Sequence, residues 1–162
     1  MPARRACLIL LVVLACAWAQ APSATLTVGG DVKTPLTLTA RDLADMPRAT
    51  AQLKGEKATV EYTGVPVHEI LKRAGLPAGK DLHGTALASY LLVEAKDGYQ
   101  VVFALPEVDP AFTDKVVLLA DAADGKPLGE GQGPFRLVVP GDKRGARGAR
   151  MVTRFQLVLL RR

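Results

Sequence analysis

The chain has 162 residues, 49% of them hydrophobic and 23% charged, with a formal net charge of +5 at pH 7. This size suits one domain with a single core, and no stretch is typical of a second domain, a long linker or a repeat. Cys7 and Cys16 are the two cysteines, so a chain cleaved after Ala19 has no disulfide, thiolate nucleophile or cysteine-ligated metal.

The N-terminal segment has the three-part layout of a secretory signal. Two arginines open it, an apolar run follows at residues 6–15, and Ala17-Trp18-Ala19 has small residues where signal peptidase requires them. The apolar run is shorter than the roughly 20 residues of a membrane span. We therefore predict a signal peptide at residues 1–19, a mature domain at residues 20–162, and a periplasmic or secreted location.

Other interpretations of this segment stay open. The stretch Val13-Leu14-Ala15-Cys16 is similar to a lipoprotein box, and a lipid on Cys16 would then hold the protein at a membrane. A retained membrane anchor is a further alternative. Arg4 and Arg5 are similar to a twin-arginine export signal, but the polar residues that flank such a pair are missing. We favour the general secretory route, which exports an unfolded chain.

The first part of the mature chain predicts short strands and two helices. The strands are expected at Thr25–Val28, Leu36–Leu38, Ala49–Leu53 and Ala58–Tyr62. A short helix should follow Thr39, because Thr39 can cap it and Asp42 places an acid in its first turn. A second helix should begin at Pro66 and end at Gly75. Its apolar stripe consists of Val67, Ile70, Leu71 and Ala74.

The second part predicts strands separated by turns. Asp97-Gly98 lies between the apolar runs Leu91–Val93 and Val101–Phe103, which indicates a hairpin whose two central residues have positive φ. Asp124-Gly125-Lys126-Pro127 indicates another turn. Further strands are expected at Val116–Ala120, Leu137–Val139 and Met151–Leu160. Many short strands with one or two helices are typical of an α+β fold rich in β structure.

Four stretches follow one another in a recognisable order. They are LTVGGDVKTPLTLTARDLADMP, YTGVPVHEILKRAGLP, YLLVEAKDGYQVVFAL and VVLLADAADGKPLGEGQGPFRLVVPG, followed by a closing strand with basic residues. Together they cover nearly all of Thr25–Leu160 and resemble the molybdopterin-binding domain of the sulfite-oxidase type. The resemblance implies a single compact mixed fold that holds a pyranopterin cofactor in a central pocket.

The resemblance also implies a metal ligand that this sequence lacks. In the family's enzymes the cofactor's dithiolene and one protein cysteine bind molybdenum, and that cysteine would lie shortly before Gly64-Val65-Pro66. The segment Arg48–Glu61 contains no cysteine, and none follows Cys16. We therefore expect no cofactor, no metal site and no catalytic residue, although molybdopterin is possible by resemblance. An unfolded passenger on the secretory route would also leave the cytosol without cofactor.

Positive charge is concentrated at the C-terminal end. Residues 142–162 hold seven basic residues and one acidic residue, a net charge of +6, whereas residues 20–141 carry −3. Glycines 141, 145 and 148 free the backbone for close approach, and arginine can clamp an oxyanion with two parallel hydrogen bonds. We predict an anion or cofactor site at Arg136, Lys143, Arg144, Arg147 and Arg150. The resemblance supports it, because basic residues of this region contact the cofactor's phosphate in the family.

Alternatives to this site are also open. The basic loop can be a solvated face, and it does not predict nucleic-acid binding, because aromatic residues are scarce near it and the protein is expected to be exported. Arg136 can pair with Asp97 or Asp121 inside the fold. Asp97-Gly98-Tyr99 can place a phenol and a carboxylate at a pocket mouth, or can be a turn with a packed tyrosine.

Other chemistry has little support in the sequence. His68 and His83 have no third ligand at a metal-binding spacing. The two serines, Ser23 and Ser89, have no nucleophile context. We therefore expect a non-catalytic exported protein that binds an anionic small ligand or a partner protein. The alternatives are a molybdopterin-dependent oxidoreductase, or a subunit of one, without a protein thiolate, and a membrane-associated accessory lipoprotein.

Overall fold

A computed structural model describes residues 24–55 and 58–160 of the chain. The predicted signal peptide and both cysteines lie outside these residues. The strands of the described part are β1 (Thr25–Gly30), β2 (Leu36–Thr39), β3 (Ala49–Lys54), β4 (Thr59–Pro66), β5 (Tyr90–Ala95), β6 (Gln100–Ala104), β7 (Leu118–Ala123), β8 (Lys126–Pro127), β9 (Arg136–Val138) and β10 (Val152–Val158). The helices are α1 (Ala40–Ala44) and α2 (Val67–Arg73), with short 3₁₀ helices at Gly79–Asp81, Gly84–Ala88, Leu105–Glu107 and Gly145–Arg147.

The strands form two sheets around one main core. The first sheet has the order β2-β1-β10-β5-β6, in which β1 and β10 are parallel and the other pairs antiparallel. The second has the order β3-β4-β7, and both β8 and β9 pair with β7. Apolar side chains of both sheets and both helices share the main core. The predicted α+β fold rich in β structure is confirmed, and none of the helices in the described part is long and apolar enough to span a membrane.

Both predicted α-helices are present, and local chemistry explains their ends. The Thr39 hydroxyl accepts a hydrogen bond from the Asp42 N–H at 3.2 Å, and the Asp42 carboxylate accepts one from the Thr39 N–H at 2.8 Å. This reciprocal capping box begins α1. The apolar stripe of α2 is buried as predicted. Gly75 ends that helix with φ +81°, a conformation that glycine adopts without steric cost.

The prediction of two positive φ angles is wrong for the first hairpin turn. Gly98 has φ +84° but Asp97 does not have a positive φ. The Ala95 N–H donates to the Tyr99 carbonyl, so residues 96–98 form a three-residue loop in which only the last residue needs the left-handed region. Asp124 and Gly125, between β7 and β8, have φ +49° and +74°. The two-residue geometry expected of Asp-Gly therefore occurs at the second turn.

Strand β4 extends past the predicted end at Tyr62 and leads directly into α2. Gly64 makes this extension possible, because a Cβ there would lie 2.2 Å from the Leu119 carbonyl oxygen of β7. A register shift between Thr63 and Gly64 accompanies the close approach of the two backbones. At the same end of the pair, β7 begins at Leu118 opposite Pro66, and Val116 lies outside the strand with 38% of its surface exposed.

The second sheet has apolar side chains on both faces. Leu119 and Leu137 belong to the main core, whereas Leu118 and Val138 belong to a smaller cluster with Tyr62. Neighbouring residues of a strand point to opposite faces. Arg136, two positions before Val138 on β9, therefore shares the face of this smaller cluster.

Candidate functional site

Arg136 is a partly buried cation with incomplete hydrogen bonding. Its Nη1 donates to the Tyr62 hydroxyl at 2.7 Å and to the Gln132 side-chain oxygen, and its guanidinium carbon lies 4.9 Å from the centre of the Tyr62 ring. Its Nε is buried and has no hydrogen-bond partner among the described residues. The pairing expected with Asp97 or Asp121 is wrong. The Asp121 carboxylate accepts from both terminal nitrogens of Arg48, at 2.6 and 2.7 Å, and the Asp97 carboxylate accepts from the Tyr99 N–H at 3.0 Å.

The surroundings of Arg136 disfavour its charge. Burial lowers the pKa of the guanidinium, the Tyr62 phenol opposes this effect, and the positive charge of Arg150 lowers the pKa further. A guanidinium that is partly removed from water and close to a second cation gains stability from a bound anion. The Arg136 guanidinium gives such an anion a charged hydrogen-bonding group.

A cavity of about 410 Å³ lies beside Arg136, between β3 and the loop after β9. Residues 52–54 of β3 form one wall and the loop residues 141–145 form another. We call this space, lined by Gln52, Leu53, Lys54, Arg136, Lys143 and Arg144 among others, the basic cavity. Its volume falls within the range of about 300–1,000 Å³ that is usual for small-molecule sites.

The charges around the basic cavity are unbalanced. Lys54, Lys143 and Arg144 are exposed and have no ion-pair partner in the described part of the chain, and Arg136 adds a fourth cation. Among the described lining residues, Asp142 is the one acid. Both of its carboxylate oxygens accept hydrogen bonds from Arg147 at 2.8 Å. Among its described residues, the basic cavity thus presents four cations and no carboxylate without a partner.

Arg147 holds the loop instead of lining the basic cavity. Besides its two bonds to Asp142, it donates from Nη1 to Glu107 at 2.8 Å, and its guanidinium carbon lies 4.8 Å from the centre of the Phe103 ring. The hydrogen bonds from Arg147 lower the pKa of Asp142, and those same bonds raise the pKa of Arg147. Arg147 therefore links two parts of the loop to each other and holds the loop against the edge of the first sheet.

Tyr99 provides a second anchor for the loop. Its hydroxyl donates to the Ala146 carbonyl at 2.6 Å, although 46% of the residue is exposed. Neither interpretation of Asp97-Gly98-Tyr99 describes this contact, since Tyr99 is not packed and does not line the basic cavity. The Leu137 N–H also donates to the Ala149 carbonyl at 2.7 Å. These bonds keep the backbone that carries Lys143 and Arg144 in a defined position.

The structure brings together part of the predicted set. Arg136, Lys143 and Arg144 line the basic cavity, whereas Arg147 lies outside it and Arg150 is exposed near Arg136 without lining it. Sequence reasoning did not identify Gln52 and Lys54 as lining residues. The available signal was indirect, because these residues lie in Arg48–Glu61, the segment where the resemblance implies a metal-binding cysteine.

Metal-binding side chains are not clustered in the described part of the chain. No group of three or more histidine, cysteine, aspartate or glutamate residues there could hold a metal ion. His68 lies 3.3 Å from the Glu69 carboxylate, and His83 is exposed. The described residues of the basic cavity can hold an anion, but they do not supply a metal-ligand set of their own.

Comparison with known proteins identifies the family. The family model described as the oxidoreductase molybdopterin binding domain matches residues 15–159. No curated protein matches the chain. Among solved structures, the sulfane dehydrogenase SoxCD from Paracoccus pantotrophus is similar, with a TM-score of 0.65 and 28% sequence identity, over 83% of this chain and 38% of that chain. The chain thus spans well under half of the dehydrogenase chain. Since the family model covers most of the sequence, the chain belongs to the oxidoreductase molybdopterin-binding domain family.

Proposed function

We propose that this chain is a non-catalytic member of its family that binds a compact anionic ligand in the basic cavity. The observation that carries the proposal is the partly buried guanidinium of Arg136, which lines a cavity with three further cations and whose Nε has no partner among the described residues. A buried donor without a partner costs roughly 1–3 kcal/mol. An anion beside the guanidinium offsets part of that cost through its charge and gains attraction from the surrounding cations.

The parts of the site have distinct tasks in this proposal. Arg136 provides a partly buried guanidinium in the cavity lining, and Lys54 provides charge on the β3 wall. Lys143 and Arg144 provide charge on the loop wall. Arg147 and Tyr99 hold that loop, so little order has to be gained when the ligand binds. Two opposed cationic walls suit a ligand with two or more negative charges, such as a phosphate ester.

The residues of the basic cavity fit only part of the family's cofactor. Their cations suit its phosphate group, but the cavity wall at residues 52–54 carries an amide, an isobutyl group and an ammonium group, and none of these replaces a thiolate. No cysteine follows Cys16 in the sequence. The site therefore does not fit a thiolate-ligated molybdenum centre, and we assign no redox step to it.

A second candidate function is a molybdopterin-dependent oxidoreductase, or a subunit of one, without a protein thiolate. Membership of the family and the 28% identity to a sulfane dehydrogenase favour it. Molybdenum and pterin content, measured after expression in a host that makes the cofactor, separates the two candidates. Near-stoichiometric molybdenum would support the oxidoreductase, and protein without molybdenum would support the binding module.

Calorimetric titration with inorganic phosphate and pyrophosphate tests the anion site. The double variant Lys143→Ala/Arg144→Ala should weaken pyrophosphate binding at least about tenfold, since each charged contact is worth roughly 1 kcal/mol. The control Lys80→Ala/Lys126→Ala removes two exposed lysines that do not line the basic cavity. Equal weakening by the control would show that only net charge matters and would reject the site.

We also propose that the protein is exported by removal of residues 1–19 and works in the periplasm or outside the cell. The layout of the N-terminal segment supports this proposal. Intact mass of the processed protein tests it. Cleavage after Ala19 removes Cys16, whereas a lipoprotein keeps Cys16 and gains the mass of its acyl chains, which would place an accessory lipoprotein at a membrane.

A further inference from the structure

A second cavity, of about 370 Å³, shares Val139 with the basic cavity. The rings of Phe103 and Phe112 and the side chains of Val117 and Val139 give it apolar walls. We call it the apolar cavity. Nothing in the proposed function uses it, and its volume is that of a small-molecule site.

Phe112 is the exposed wall of the apolar cavity. It is 48% exposed, whereas Phe103 is 1% exposed. The turn that carries Phe112 is well ordered, because the buried Asp109 side chain accepts from the Ala111 N–H at 2.8 Å and the Asp109 carbonyl accepts from the Phe112 N–H at 3.0 Å. A large aromatic side chain held towards solvent by a fixed turn is typical of a binding surface.

Among the described polar groups at the rim of the apolar cavity, the ammonium group of Lys115 is the one charge without an ion-pair partner. Each nitrogen of the Arg147 guanidinium already donates a hydrogen bond, and the Glu107 carboxylate accepts from Arg147 and from the Ala104 N–H. The Thr113 hydroxyl accepts from the backbone N–H of Lys115 at 3.1 Å. The Lys115 ammonium is exposed and has no ion-pair partner in the described residues. Its charge helps to lower the pKa of Asp142, but both oxygens of that carboxylate are occupied by Arg147.

We propose that the apolar cavity binds a small amphiphilic monoanion, in which an aromatic or aliphatic body carries one carboxylate or sulfonate. The body would lie between Phe112 and the valine side chains, and the anionic group would face Lys115. The apolar walls select the body by burial, and a single free ammonium selects a single negative charge. This ligand differs from the polyanion proposed for the basic cavity, and the inference does not depend on that proposal.

Two fluorescent probes that differ by one charged group test the inference. The probe 1-anilinonaphthalene-8-sulfonate has the required ring system and one sulfonate, and N-phenyl-1-naphthylamine is the same ring system without it. Lys115→Met should weaken binding of the sulfonate about fivefold, as expected for one exposed ion pair, and leave the neutral probe unchanged. Lys126→Met, a control at another exposed lysine, should change neither affinity. Equal weakening of both probes by Lys115→Met would overturn the assignment of the charge.

Variants at Phe112 test the apolar wall. Phe112→Ser should weaken both probes at least about tenfold, as expected from lost aromatic burial. The control Val102→Ser alters a residue that is 49% exposed on β6 and should leave both affinities unchanged. Unfolding midpoints of both variants should stay near that of the parent protein, because both side chains are half exposed. Loss of binding in the control as well would show that the probes bind exposed apolar surface without a site.

A tryptophan at position 112 gives an independent readout. Trp18 is the one tryptophan of the sequence. Phe112→Trp therefore adds a fluorophore at the apolar cavity. Excitation energy should transfer from this tryptophan to the bound sulfonate probe, with saturation at one probe per chain. Absence of transfer under saturating probe would overturn the inference. So would probe binding that decreases as the protein concentration rises, since this would show that a second copy of the chain covers the cavity.

Discussion

The position of the loop that carries Lys143 and Arg144 should depend on the hydrogen bonds of Arg147, although Arg147 does not line the basic cavity. Arg147→Met keeps an unbranched apolar side chain beside Phe103 but removes every hydrogen bond from the guanidinium. We expect this variant to unfold more easily and to bind pyrophosphate more weakly.

The size of the effect follows from the exposure of each partner. The Asp142 side chain is 16% exposed and accepts two hydrogen bonds from Arg147. Losing this ion pair should lower the free energy of unfolding by about 1 kcal/mol. Glu107 is 45% exposed, so solvent screening limits that pair to about 0.5 kcal/mol. The contact with the Phe103 ring contributes about 0.5 kcal/mol. Together these losses are about 2 kcal/mol, which lowers the unfolding midpoint of a domain of this size by about 6 °C.

Thermal unfolding followed by circular dichroism measures this change, and a double-mutant cycle identifies its cause. Asp142→Asn should destabilise the parent protein but have almost no further effect in the Arg147→Met background, because the pair is already lost. Pyrophosphate affinity should fall about fivefold as the loop loses its fixed position. An Arg147→Met midpoint within 1 °C of the parent would refute the role of Arg147, as would an additive cycle.

Three further outcomes follow from the fold. Gly64→Ala should destabilise the protein by about 3 kcal/mol or more in urea unfolding, since the new Cβ would clash with the Leu119 backbone; a change below about 1 kcal/mol would contradict that packing. Asp109→Ala should cost about 3 kcal/mol, because two backbone N–H groups lose their acceptor at a buried site, and Asp109→Asn should cost less. The hydrogen bonds from Arg147 lower the pKa of Asp142. The stability contributed by this ion pair is therefore complete above the ordinary aspartate pKa of about 4, and it is lost as pH falls through the lowered pKa. The stability difference between Asp142→Asn and the parent should therefore shrink below about pH 4, and a constant difference would contradict this.

Local features of the sequence predicted most elements correctly. The Thr39 cap, the apolar stripe of α2 and the glycine at its end each act within a few residues, so they can be recognised without knowledge of the fold. The ordered motifs also predicted the family, which the family model confirms. The same local approach failed at Asp97-Gly98, because the length of that hairpin loop depends on how β5 and β6 pair.

The candidate site was only partly predictable, because its contacts join distant segments. The sequence indicated a cationic C-terminal end and a missing cysteine. It did not show that Arg136 bonds to Tyr62 while Asp121 pairs with Arg48. It also did not show that β3 contributes Lys54 to the same cavity as the loop after β9.

The sequence by itself determined the family, the positions of the helices and most strands, and the sign of the charge at the C-terminal end. These properties are local or compositional, so the order of residues along the chain expresses them directly. Only the tertiary structure decided which cations converge and which are already paired. Lys143 and Arg144 face a cavity while Arg147, a few positions away, is bound by Asp142 and Glu107. Whether a charged side chain is free depends on partners that folding brings from other strands and turns, and residue type alone does not reveal them.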